Sequence, residues 1–287
     1  MTRSRMSARV LCALVAGVLP AACATVPEEE APLRVLIVSG GGYHDYARQR
    51  TILEEGLEWR LNVEVAHVFS PPGPLREGRP AIPAFRDPAY ARGYDLVIHN
   101  ECAAEESDPA VLDAVLAPHR EGMPAVNLHC AMHSFRSGAW GEPVAPGADN
   151  ARWFAFTGIQ STGHGPQAPI RLSPADHPIA QGIAQASQAW VTPDEELYNN
   201  LTRFDVTPVL MGEQPASVEA RWRGPVVVAW THLYGPQRAR VFSTTLAHNE
   251  ATMEDARYLD LVARGVAWAS GHLSEDGSLD PAIRPGR

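Results

Sequence analysis

The chain of 287 residues contains no lysine: all 24 of its Lys-plus-Arg positions are arginine. Chemistry that needs a primary amine able to lose its proton is therefore absent, which excludes a Schiff-base lysine, a Ser–Lys dyad and a pyridoxal-phosphate aldimine. The phosphate-binding loop that depends on its lysine is excluded with them. Basic charge is scarce as a whole, because 33 acidic residues leave a formal net charge of −9. Nucleic acid is a poor partner for such a surface, which carries no basic footprint. Cysteine is also sparse, with four in all. Cys12 and Cys23 fall in the N-terminal segment, so Cys102 and Cys130 alone cannot make a disulfide scaffold. One bridge is open to them in an exported protein, but two small buried thiols is the simpler expectation. The composition is otherwise that of a globular protein, 45% hydrophobic and 20% charged.

Long apolar runs are absent too. The longest near the N-terminus, Val10 to Pro20, follows Arg3, Arg5 and Arg9 and precedes the small residues Ala21-Ala22-Cys23-Ala24. A run this short cannot span a bilayer, but basic residues, an apolar stretch and a small-residue site together make an export signal. Residues 1–22 are read as the signal, 23–32 as an acidic, proline-containing tether. Two processing routes are open. Ala22-Cys23-Ala24 fits cleavage and release, whereas Pro20-Ala21-Ala22-Cys23 resembles a lipobox with Cys23 as the lipidated residue, departing from it at Pro20. The expected location is periplasmic or outer-membrane-associated, or otherwise secreted, with a lipid on Cys23 as the membrane contact. Loss of the three leader arginines takes the net charge from −9 to −12, which favours a neutral ligand over an anionic one.

In the mature part, Leu33 to Val38 is a continuous apolar run ending in Gly40-Gly41-Gly42, as in a buried parallel strand. A helical pattern follows from Tyr46, then strands over Val63–Phe69 and Tyr94–His99, a helix opened by Asp108-Pro109, and a strand over Ala125–His129 leading into a helical stretch through Phe135. Residues 70–92, rich in Pro, Gly and Arg, form a long connection. The second half carries strand patterns at Ile170–Leu172, Val206–Met211, Val226–Thr231 and Arg240–Thr244. A final helix opens at Thr252, and a polar tail occupies 274–287. Alternating strands and helices predict an α/β fold with a mostly parallel sheet.

Eleven histidines are unusually many, and several stand at predicted strand ends, where parallel sheets bind ligands. His44 follows strand one. His99-Asn100-Glu101-Cys102 follows strand three, His129 and His133 follow strand four, and His248 follows the last strand, while His164 lies between glycines. On a helix, His129 and His133 would share one face, the spacing zinc sites use. With His44 and His248 they offer a ligand set for a divalent metal such as zinc; without metal, the same groups are acids and bases near neutral pH. His129, His164, Glu101 and, second to it, Glu195 are the candidate catalytic residues. Gly41, Gly42, Tyr43, Asn100 and Tyr198 are the candidate substrate contacts, with Trp153 as a further stacking surface. Gly40 and Gly42 match the start of a dinucleotide fingerprint, but Asp45 stands where its third glycine belongs, so no nucleotide is expected.

Segments in fixed order resemble the ThuA-like (trehalose utilisation) family of the class I glutamine amidotransferase-like superfamily. They are LIVSGGGYHDY (36–46), NLHCAMHSF (127–135), FTGIQSTGH (156–164), DHPIAQG (176–182), DEELY (194–198), RVFSTTLAHN (240–249) and GVAWA (265–269). The resemblance implies a flavodoxin-like three-layer sandwich over 33–273. His129 takes the superfamily's nucleophilic cysteine position, so ordinary glutaminase chemistry is not implied. The family link is to carbohydrate, including keto-sugars and glycosides, handled by a hydrolase, isomerase or lyase. Ala247 replaces a glycine usual in the family. Two rivals stay open, a carbohydrate-binding lipoprotein without turnover and a hydrolase using Cys130.

Overall fold

The structure is a computed structural model that describes residues 30–71, 81–184 and 189–285. The export signal, most of the tether, Cys23 and the middle of the 70–92 connection lie outside the described residues. No helix among the described residues is long and apolar enough to cross a membrane.

Ten strands form in chain order: β1 (Leu33–Gly41), β2 (Val63–Ser70), β3 (Leu96–Cys102), β4 (Ala125–Leu128), β5 (Ile159–Gln160), β6 (Arg171–Pro174), β7 (Thr202–Arg203), β8 (Thr207–Glu213), β9 (Val226–Tyr234) and β10 (Ala239–Thr244). Eight make one sheet in the order β2-β1-β3-β4-β10-β9-β8-β6, and β5 pairs with β7 separately. The first five are parallel neighbours, and β9, β8 and β6 extend the sheet antiparallel from β10. This is the doubly wound α/β arrangement expected from the alternating elements.

Period-two alternation splits β1 between two cores. Val35 and Ile37 face helices α1 (Tyr46–Arg60), α4 (Pro178–Ala184) and α7 (Ala256–Ala269), joining Leu53, Ile179 and Val262 in one apolar cluster. Leu36 and Val38 face the opposite layer, with Val115 of α2 (Pro109–Arg120), Phe85 and Trp153. Both faces of the parallel strands are covered, which is why their sequences are apolar throughout rather than alternating.

Local chemistry sets the helix ends. Asp108 caps α2 through the Ala110 N–H, with Pro109 at the first helical position. The final helix differs from the expectation at Thr252. Asn249 caps a four-residue helix, α6 (Glu250–Met253), and Asp255 caps α7 separately through the Arg257 N–H. The segment after Ser274 is polar in composition but folds back: Ile283 is buried in the main cluster, and Asn62 N–H donates to Ile283 O. Arg264 of α7 holds this return through Gly277 O.

Three features next to the strand ends differ from the sequence expectations. The expected helix after β4 is a 3-10 turn, His129–His133. β3 runs on through Cys102 rather than ending at His99, so Asn100 and Glu101 lie inside the sheet. Cys102 and Cys130 are joined as a disulfide with Cα atoms 5.0 Å apart. The bridge ties the end of β3 to the turn after β4 and leaves Cys130 no free thiolate, which removes the cysteine-hydrolase rival.

The chain turns back at β1 toward β2 on one side and β3 on the other, so the crevice between the ends of β1 and β3 is the switch point where such sheets bind ligands. Gly41 makes the close approach there. Its φ is +89°, and a Cβ would meet Cys102 O at 2.1 Å, whereas Gly42 has open space. Gly41→Ala is therefore expected to cost about 2 kcal/mol or more in urea unfolding, and Gly42→Ala to stay within about 0.5 kcal/mol.

Candidate functional site

Five chain segments meet above that crevice around a cavity of about 320 Å³. The turn after β1 brings Tyr43 and His44, and the 3-10 turn after β4 brings His129 and His133. An extended segment brings Glu196 and Tyr198, and the loop after β10 brings His248; His164 stands at the mouth.

His44, His129 and His248 come together. Their ring centroids are 4.8 to 5.5 Å apart, and one nitrogen from each lies within 4.8 Å of the others. Backbone carbonyls settle the tautomers of two of them. His44 Nδ1 lies 3.1 Å from His248 O, and His129 Nδ1 lies 2.7 Å from Thr245 O. A carbonyl oxygen only accepts, so each Nδ1 carries the proton and each Nε2 keeps its lone pair. Burial, with the neighbouring histidine charge, lowers His44 and takes His129 down to about 3. Both rings are neutral at physiological pH. Tyr198 OH donates to His129 Nε2 at 3.2 Å.

Among the described residues, Glu196 brings a carboxylate within 4 Å of three of the site histidines. Its Oε2 lies 3.3 Å from His248 Nδ1, 3.5 Å from His164 Nε2 and 3.7 Å from His129 Nε2. Burial opposes its ionisation, but the bond with His248 and the surrounding ring charge hold its carboxyl down at about 2. The same bond raises His248. Gln167 meets the other nitrogen of His248 at 2.8 Å.

Glu195, one residue earlier, points the other way. It is fully buried, and its carboxylate accepts the backbone N–H groups of Ala247 and His248. Burial raises it to about 7. It shapes the loop that carries His248 and does not face the cavity. The parity of the extended segment decides between the two glutamates: side chains alternate, so the residue on the side of Tyr198 is Glu196. That alternation was the available signal for Glu196, which sequence reasoning missed.

Other expected site residues do not join the three histidines, although His133 and Tyr43 also line the cavity. His133 is not with the three histidines. In a 3-10 turn residues four apart sit about 120° apart around the axis, and His133 instead meets Ser161 Oγ at 2.9 Å and stacks on Tyr198 at 4.1 Å. Burial, together with the Arg136 charge, holds it well below the usual histidine range. Glu101 lies in β3 with no exposure, bonded at 3.0 Å to His99, which in turn meets His119 on the α2 face. Asn100 points to Ser39 and Gln49. Trp153 is core, its indole donating to Ala131 O. Gly41 packs on β3, Gly42 is open, and Tyr43 at the mouth is 72% exposed with φ +84°. Neither Gln167 nor Arg136, which also lines the cavity, carried a sequence motif to mark it.

Two backbone strains hold the site. His129 has φ +41° at the turn after β4, the sharp corner that aims its ring over the strand ends. Ala247 has φ +77°, a conformation in which glycine is the ordinary residue. It is held there by the two N–H bonds to Glu195.

A family model, ThuA (trehalose utilisation), matches residues 34–269. No curated protein matches the sequence. Among solved structures, a ThuA-like protein from Parabacteroides merdae superposes with a TM-score of 0.58 at 18% identity, over 88% of this chain and 97% of that one. A ThuA-like protein from Bacteroides uniformis gives 0.58 at 15% identity, over 90% and 98%. These likenesses carry the fold.

Ala247 supplies a direct check on the loop. Ala247→Gly relieves the positive φ but loses a buried methyl and adds chain entropy, so unfolding free energy is expected to change by less than about 1 kcal/mol. Ala247→Val, branched at Cβ in the same conformation, is expected to cost about 2 kcal/mol or more by urea unfolding.

Proposed function

The chain belongs to the ThuA (trehalose utilisation) family, and on that footing we propose that its cavity holds a divalent metal on His44, His129 and His248 and processes a carbohydrate there. One observation carries the proposal: His44 and His129 both spend their Nδ1 protons on backbone carbonyls, which leaves each Nε2 as an acceptor beside a third histidine, that of His129 facing the Tyr198 hydroxyl that a metal would displace. Metal-binding histidines are oriented by the same second hydrogen bond. Three nitrogens with the anionic Glu196 make a donor set suited to zinc. A metal so held would polarise a sugar oxygen or lower the pKa of a bound water.

The protein groups then have distinct work. Glu196 balances the positive charge and accepts hydrogen bonds from a substrate hydroxyl or a water. His164, bonded through Nδ1 to Gly165 O and facing Glu196 with Nε2, relays protons at the mouth. Tyr43 offers an exposed ring for a sugar face. The reaction class is hydrolysis, isomerisation or elimination on a sugar or keto-glycoside. With His129 in the superfamily's cysteine position and Cys130 in a disulfide, acyl transfer through a thiolate is not part of the reading.

Export belongs to the same proposal. Its supports are the basic and apolar leader and the disulfide, a bond that persists in oxidising compartments. Whether Cys23 is lipidated separates an anchored protein from a released one.

The test is elemental analysis of purified protein together with turnover of a panel of glycosides and keto-sugars. Stoichiometric zinc or another divalent metal is expected in the wild type. His129→Ala is expected to lower metal affinity about 100-fold or more, and Glu196→Gln to lower turnover by about two orders of magnitude. Absence of metal together with unchanged turnover in His129→Ala sinks the proposal. Sugar binding without any turnover would turn it into a binding protein.

A further inference from the structure

The cavity wall holds an arginine as well as the histidines. Arg136 lines the wall, and among the described residues it makes no ion pair. Its Nε is sealed from solvent and has no hydrogen-bond partner. Glu196, the carboxylate in the same cavity, is taken by His248, His164 and His129. A half-buried guanidinium with no anion bonded to it suits a ligand that supplies the missing charge.

The backbone fixes where this cation stands. Phe135, just before it, is buried with φ +53° and donates its N–H to Ala103 O, while Ser134 Oγ accepts the N–H of Ala103. The arginine therefore leaves a rigid corner rather than a loop free to swing. Trp140 covers one face of the guanidinium at 4.3 Å. A stacked guanidinium keeps its in-plane N–H edge available, and that planar fork matches a carboxylate with two parallel bonds.

We propose that the carbohydrate taken by this cavity carries a carboxylate, a uronic or aldonic acid unit, and that Arg136 receives that group while the hydroxyl or oxo oxygens face His44, His129 and His248. The proposal rests on the reading of the cavity as a carbohydrate site and deepens it by naming the substrate class. A single fork suits a singly charged planar group better than a phosphate, whose second charge would face Glu196 across the same space. The cavity volume of about 320 Å³ is at the small end of ligand pockets, which fits one or two sugar units. It also qualifies the expectation from net charge: the mature chain is acidic overall, but the anion is met by one local arginine rather than by the surface average.

Calorimetric titration of the zinc-supplemented full-length protein tests this. The ligands are glucuronate, galacturonate and gluconate, their neutral parents glucose and galactose, and glucose 6-phosphate. At least one acid is expected to bind about tenfold or more tightly than its neutral parent, the gain of a charge-assisted pair. Arg136→Met is expected to abolish that preference while zinc content and melting temperature stay as in the wild type. No acid bound above its neutral parent, the phosphate bound tightest, or a preference that survives Arg136→Met would each overturn the proposal. Zinc content, measured on the same samples, separates the two readings: a protein without metal that still prefers acids contradicts the metal centre and keeps Arg136 as the carboxylate receptor.

Discussion

Two carbonyl oxygens in the loop after β10 decide what the site can do. Thr245 O takes the Nδ1 proton of His129, and His248 O takes that of His44. Without these acceptors each imidazole would be free to rotate or change tautomer, and the lone pairs would have no common aim. The loop holds its shape because Glu195, fully buried, gathers the N–H groups of Ala247 and His248, which lets Ala247 keep a backbone conformation unfavourable for any residue with a Cβ. A carboxylate outside the cavity thus supports the loop whose carbonyls orient the rings of His44 and His129.

The fold brings these pieces together by topology. His44 and His129 follow parallel strands, and His248 follows β10, the fifth parallel strand, so all three rise from the same edge of the sheet. The disulfide between Cys102 and Cys130 links two neighbouring strand ends under the cavity. Gly41, pressed against Cys102 O, allows the β1 turn to close onto the same edge. Rigid strands below and short tight turns above suit a site whose geometry is set before a ligand arrives.

Much of this was legible in the sequence. Apolar runs ending in glycine or histidine marked the parallel strands, and Asp108-Pro109 marked a helix start. His44, His129, His133 and His248 were readable as one group because each follows a predicted strand, where ligands gather, with His164 apart in a glycine-flanked loop. What was not legible depended on a turn, a strand end or a parity. The step from helix to 3-10 turn separates His133 from His129. Three more residues of β3 draw Asn100 and Glu101 into the sheet. One residue of alternation exchanges Glu195 for Glu196. Each choice is set by tertiary pairing, which local composition does not encode. Arg136 was silent for a different reason: its place on the cavity wall without an ion pair among the described residues is visible only once its surroundings are known.

The central claim is that two carbonyl-anchored imidazoles and His248 bind one metal, His129 Nε2 giving up its bond with Tyr198 and His248 one of its bonds with Glu196 or Gln167. Anomalous diffraction from crystals grown with zinc, collected on both sides of the zinc absorption edge, tests it directly. The account predicts a peak at about 2.0–2.1 Å from a ring nitrogen of each of His44, His129 and His248, with Nδ1 of His44 and His129 still on their carbonyls. A cavity without a peak, or a zinc held by other residues, would contradict it.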